Sequence, residues 1–126
     1  MRIEKLRSVV LMLSAAAGIA SAADKWIPVG PDAPMVGRAL LNVGYVALND
    51  NGNRVATLRS VVNGGDFKMD ILTEFDCRSQ RQRALSSATT DRNGRLVGAV
   101  GGNKGWSARE HHLGLAEACG APLAKP

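Results

Sequence analysis

From Asp66 to Cys77 the chain alternates between apolar and polar positions. Phe67, Met69, Ile71, Thr73, Phe75 and Cys77 share one parity; Asp66, Lys68, Asp70, Glu74 and Asp76 share the other, broken only by Leu72. Successive side chains of a strand point to opposite faces, so this stretch predicts a strand with one apolar and one solvated side. Both phenylalanines of the chain and one of its two cysteines lie on the apolar parity. The segment therefore supplies core and an anchor for a crosslink.

Its surroundings read as hairpins. Val43–Leu48 and Arg54–Val62 are rich in β-branched residues, and Asp50-Asn51-Gly52-Asn53 between them carries Asn-Gly, a strong hairpin signal because both residues tolerate positive φ. Asn63-Gly64-Gly65 turns the chain into the central strand. After Cys77 a turn through the arginines leads to a strand over Ala84–Thr90, and Asp91-Arg92-Asn93-Gly94 returns it as Arg95–Val100. Upstream, Trp26-Ile27 precedes Pro28, Pro31 and Pro34, so that segment is an edge strand at best and then a loop, with Trp26 covering one end of the core. His112–Cys119 has helical spacing, Leu115 to Cys119 and Leu113 to Ala116, and Gly120 is placed to cap its C-terminus. The pattern predicts an α+β fold: an antiparallel β-meander with a short C-terminal helix.

Residues 1–22 carry a different signal. Arg2, Lys5 and Arg7 precede an apolar run from Val9 to Ala20, closed by Ala20-Ser21-Ala22. A basic start, a short apolar stretch and a small-x-small ending define a cleaved secretory leader, and the run falls short of the about 20 residues that span a bilayer. The expected mature domain is 23–126, exported to the periplasm or cell surface. No cysteine follows the run to take a lipid. Cleavage lowers the formal charge from +5 to +3, because three basic residues and Glu4 leave with the leader. That balance does not indicate a nucleic-acid binder.

The mature part has few aromatics, two Trp, two Phe and one Tyr. A domain of this size gains from a staple. Cys77 and Cys119 are the only cysteines, and an oxidising compartment would join them across a separation of 42 residues. Chain entropy assigns such a link roughly 4 kcal/mol. Two free thiols or a two-cysteine metal site are the alternatives, and no CxxC spacing favours the metal.

Candidate chemistry is sparse. Ser60, Ser79, Ser86, Ser87 and Ser107 have no nucleophile-elbow context, and Asp70, Glu74 and Asp76 fall on the outward side of one strand rather than in a cleft. The expectation is a non-enzymatic protein without a cofactor. His111 and His112 are adjacent, so they point apart in helix or strand and suit one metal poorly. The remaining set is basic: Arg78, Arg81 and Arg83, with Arg92, Arg95 and Lys104 further on. These arginines are candidates for contact with acidic glycans, headgroups or acidic proteins. The plainer use is a solvated face, balanced by cross-strand pairs to Asp70, Glu74 and Asp76.

The order of these features resembles the bacterial surface-adhesin protein E-like family. The carrying residues are Trp26, the Asp50–Arg54 hairpin, Glu74-Phe75-Asp76-Cys77 with Arg78 and Arg81, Trp106, and Ala118-Cys119; together they cover about Trp26 to Cys119. The resemblance implies an antiparallel sheet with a C-terminal helix tied on by a disulfide. Its named member is an outer-membrane lipoprotein that binds host matrix proteins. The present chain departs in lacking a lipidation cysteine and in carrying His111-His112 before the helix. The functional expectation is an adhesin-like binding module contacting an extracellular-matrix protein or an acidic glycan. The rivals are a periplasmic inhibitor of the lysozyme-inhibitor type, and a haem- or metal-binding protein using His111 or His112.

Overall fold

The structure, a computed structural model, describes residues 23–30, 38–102, 105–109 and 112–124. The leader assigned to 1–22, together with Pro31, Pro34, Lys104 and His111, lies outside these residues. The elements run β1 (Trp26–Pro28), β2 (Arg38–Asn42), β3 (Ala47–Leu48), β4 (Arg54–Val62), β5 (Phe67–Asp76), β6 (Arg81–Asp91), β7 (Leu96–Gly101) and α1 (Leu115–Gly120). All pairings are antiparallel, in the order β1-β2-β4-β5-β6-β7, with β3 on the other half of β4. This is the expected α+β meander with one short C-terminal helix.

The predicted strand over Val43–Leu48 is not one strand. Val43–Tyr45 forms a 3-10 turn, and only Ala47–Leu48 pairs. Asn42 causes the break: its Oδ1 accepts from the amides of Lys25 (3.0 Å) and Gly44 (3.1 Å), which draws the chain out of the ladder. Gly44 then admits the first described residue, since a Cβ there would sit 1.7 Å from the Ala23 carbonyl oxygen. The strand preceding this turn, β2, is the one the sequence pattern passed over.

The two faces follow from the register. Ile27, Leu41, Leu58 and Ile71 align across β1, β2, β4 and β5, and all four contribute to the core with Phe75, Ala56, Val46 and Ala118. Trp26 has the opposite parity to Ile27, so it lies on the other face of the sheet rather than over an end of the core. Its ring carries the Arg59 guanidinium, 4.0 Å from the centroid.

Helix α1 covers the core face at β4 and β5. It starts at Leu115, later than the spacing suggests, because Gly114 at its N-cap adopts φ 77°, a left-handed conformation that stops the helix extending back to His112. Gly120 is the last helical residue and is not a left-handed cap; extended Ala121 follows it. The free carbonyls find another donor: Arg54 Nη1 donates to the Ala118 oxygen at 3.2 Å and also to the Ala121 oxygen. The Cys77–Cys119 disulfide, with Cα atoms 5.7 Å apart, fastens the helix to the end of β5. Neither cysteine is free. Among the described residues no helix is long and apolar enough to cross a membrane.

Candidate functional site

The face of the sheet opposite the helix carries the polar parity of β5, and here the structure departs from the expected solvated surface. Glu74 is 1 % exposed and Asp76 8 %. Two neighbours close over them. On one side is the β3–β4 hairpin, whose turn is set by Asn49: its Oδ1 accepts from the amides of Asn51 (3.0 Å) and Asn53 (2.9 Å). On the other side β6 extends back to Arg81, three residues earlier than the hydrophobic pattern indicates, so Arg81 and Arg83 belong to the strand and stand opposite Asp76 and Glu74.

Glu74 is satisfied on both oxygens. Oε2 accepts from Asn49 Nδ2 and Asn53 Nδ2, each at 2.8 Å, and Oε1 accepts from Arg83 Nε at 2.8 Å. Burial pushes its pKa up, but the hydrogen bonds from Asn53, Asn49 and Arg83 outweigh burial and hold it at about 2. Asp76 is also held below the usual carboxylate range, first by the backbone N–H of Ser79 (3.1 Å) and then, against some desolvation, by Arg81 (3.1 Å). Both carboxylates are therefore anionic at neutral pH.

Trp106 completes the arrangement. The guanidinium carbons of Arg81 and Arg83 lie 4.1 and 4.4 Å from its ring centroid. Two long flexible side chains are thereby held flat, each between a carboxylate and an aromatic ring. The ring is placed by the segment that wraps the edge of β6. Ser107 N donates to the Gln82 carbonyl (2.8 Å), and His112 Nε2 lies 3.2 Å from the Ser107 carbonyl. On the core face the buried Gln82 amide bonds both backbone groups of Leu113, at 3.2 and 3.1 Å.

The result is a polar hollow of about 290 Å³, lined among others by Asn51, Asn53, Asp76, Arg78, Arg81 and Trp106. The three arginines singled out in the sequence, Arg78, Arg81 and Arg83, all line it. They are not equivalent. Arg81 and Arg83 are paired to carboxylates, whereas Arg78 is exposed at the rim with no acidic partner among the described residues. Three guanidiniums thus meet two carboxylates, leaving one positive charge in excess.

No family model, no curated protein and no solved structure matches this chain. The hollow must be interpreted from its own chemistry. Flat aromatic and guanidinium surfaces, amide groups and fixed carboxylates form a dense set of directional donors and acceptors. Such a set suits a ligand rich in hydroxyl groups, and the excess charge at Arg78 favours one that also bears an anion.

Sequence reasoning found the arginines but missed Trp106, Asn49 and Asn53 as members of the site. The asparagines carried a signal, since Asn49 precedes and Asn53 closes a predicted hairpin turn. Trp106 carried none: its meeting with Arg81 depends on residues 105–108, which belong to no strand or helix.

Proposed function

We propose that the protein is an exported, non-enzymatic binding module that holds an acidic glycan in the Arg78–Arg81–Arg83–Trp106 cleft. The observation that carries this reading is the Trp106 ring laid against two arginines that are themselves anchored by Glu74 and Asp76. A rigid, charge-paired floor orders few groups when a ligand arrives, so little binding energy is lost to ordering. Sugar hydroxyls meet Asn51, Asn53 and the guanidinium edges, and the carboxylate of the glycan meets Arg78.

Two points support binding rather than catalysis. Glu74, with a pKa of about 2, holds no proton to donate at neutral pH. Both carboxylates are also occupied by arginine. The leader expected over 1–22 and the Cys77–Cys119 bond are compatible with an exported protein, and a place at the envelope is what the surface-adhesin E-like resemblance of the sequence would imply.

The test is retention of the purified 23–126 domain on immobilised hyaluronan, which bears one carboxylate per disaccharide, against neutral dextran. Binding to hyaluronan that weakens as salt rises and drops about tenfold in Arg78→Ala is expected. Equal retention on dextran, or retention indifferent to Arg78, contradicts the proposal.

A further inference from the structure

Leu72 is the one apolar residue on the polar parity of β5, and it remains 39 % exposed. Its neighbours explain how the face is shaped around it. Thr57, Leu72, Ser86 and Gly101 form one row across β4 to β7; Arg59, Asp70, Ala88 and Ala99 form the next. Toward β6 and β7 these rows carry only small side chains. They leave a trough of about 560 Å³ on the same face as the cleft, floored by Leu72, Ser86, Ala88 and Ala99 with Thr57 and Asp70 at its side.

The trough and the cleft follow one another along β5, with Asp70 and Leu72 in the first and Glu74 and Asp76 in the second. The chemistry of the cleft also recurs at the far side. Asp70 takes two bonds from Arg59, at 2.7 and 2.9 Å, and the Arg59 guanidinium lies over Trp26. Carboxylate, arginine and tryptophan are thus combined at two places on one sheet face, with the Thr57–Leu72–Ser86–Gly101 row between them.

We infer that the trough is a second part of the same binding surface and takes the following sugar units of a chain whose acidic unit sits in the cleft. This rests on the reading of the cleft as an acidic-glycan site. A pyranose ring has an apolar face and a polar rim. The face lies on Leu72, Ala88 and Ala99, and the rim bonds Thr57, Asp70 and Ser86. From Asp76 to Asp70 the strand spans about 20 Å, room for several sugar units but more than a disaccharide fills. The ligand is therefore an oligosaccharide bound along the strand rather than a single terminal sugar.

Calorimetric titration with hyaluronan fragments of increasing length tests this, using wild type, Ala99→Phe and Arg78→Ala. Ala99 lies on the exposed edge strand, so phenylalanine there fills the trough without entering the core; unchanged thermal melting confirms that the fold is intact. The expected result is a gain of about tenfold in wild-type affinity from the disaccharide to the longest fragments. Ala99→Phe abolishes that gain while binding the disaccharide as wild type does, and Arg78→Ala weakens every length. Affinity independent of length, or a full gain in Ala99→Phe, overturns the trough but leaves the cleft standing. No binding at any length overturns both.

Discussion

Glu74 and Arg83 face each other across β5 and β6, with Arg83 Nε 2.8 Å from Glu74 Oε1 and the carboxylate almost sealed from water. Removing one partner of such a pair leaves a charge that is both desolvated and uncompensated. Breaking buried pairs typically costs 3–5 kcal/mol, and the partial exposure of the arginine puts this one at the lower end. Arg83→Met is expected to lower unfolding free energy by about 3 kcal/mol in urea. Arg92→Met, which breaks an exposed pair with Asp66, is expected to cost below about 1 kcal/mol.

The same carboxylate sets a pH dependence. Its folded pKa of about 2 lies below the ordinary value of 4.5. The stabilisation it brings is complete above that ordinary value and is lost as protons bind on descent toward the folded one. Stability should fall through this acid window, and Glu74→Gln should flatten the fall because glutamine has no proton to take up. Urea midpoints across the window compare the two proteins. A wild-type profile as flat as that of the variant would show that Glu74 is not held in its anionic form.

The disulfide joins positions 42 residues apart and fastens a helix of only six residues. A helix that short has no stability of its own. Cys77→Ser with Cys119→Ser is expected to cost up to about 4 kcal/mol on the loop-closure model. Loss should reach the core as well, since Ala118 is fully buried against the sheet. Near-ultraviolet circular dichroism and melting of the double variant measure it.

Gly44 is a position where a single methyl group has no room. A Cβ would lie 1.7 Å from the Ala23 carbonyl oxygen and 3.1 Å from the Lys25 nitrogen. Gly44→Ala is expected to lift residues 23–25 from the 3-10 turn and break the Asn42 bonds to Asp24 and Lys25. Faster amide exchange confined to that end of the sheet is the expected signature; an unchanged exchange pattern would show that the segment is not seated there.

Much of the architecture was legible in the residues. The alternation over Phe67–Asp76, the Asn-Gly and Asn63-Gly64-Gly65 turns and the two cysteines were enough for the meander and its tied helix. What escaped was governed by single side chains acting over distance. Asn42 interrupts a stretch of good strand formers, and Gly114 shortens a helix whose spacing is otherwise sound. The hollow escaped for a related reason. Alternation tells which residues share a face, but not whether another segment closes over it. Glu74 and Asp76 therefore read as solvated until the Asn49 turn and Trp106 are in place. The cross-strand pairing expected of the arginines holds for Arg81 with Asp76 and Arg83 with Glu74, whereas Asp70 pairs with Arg59 of β4.

The measurement that bears most directly on the cleft is a proton–nitrogen NMR titration with a hyaluronan tetrasaccharide, following the two tryptophan indole resonances and assigning them with Trp106→Phe. The account predicts a saturable shift of the Trp106 indole at low salt that fades as salt is raised and needs about ten times more ligand in Arg78→Ala. A Trp106 resonance that stays in place while the glycan is raised to saturating excess would contradict it.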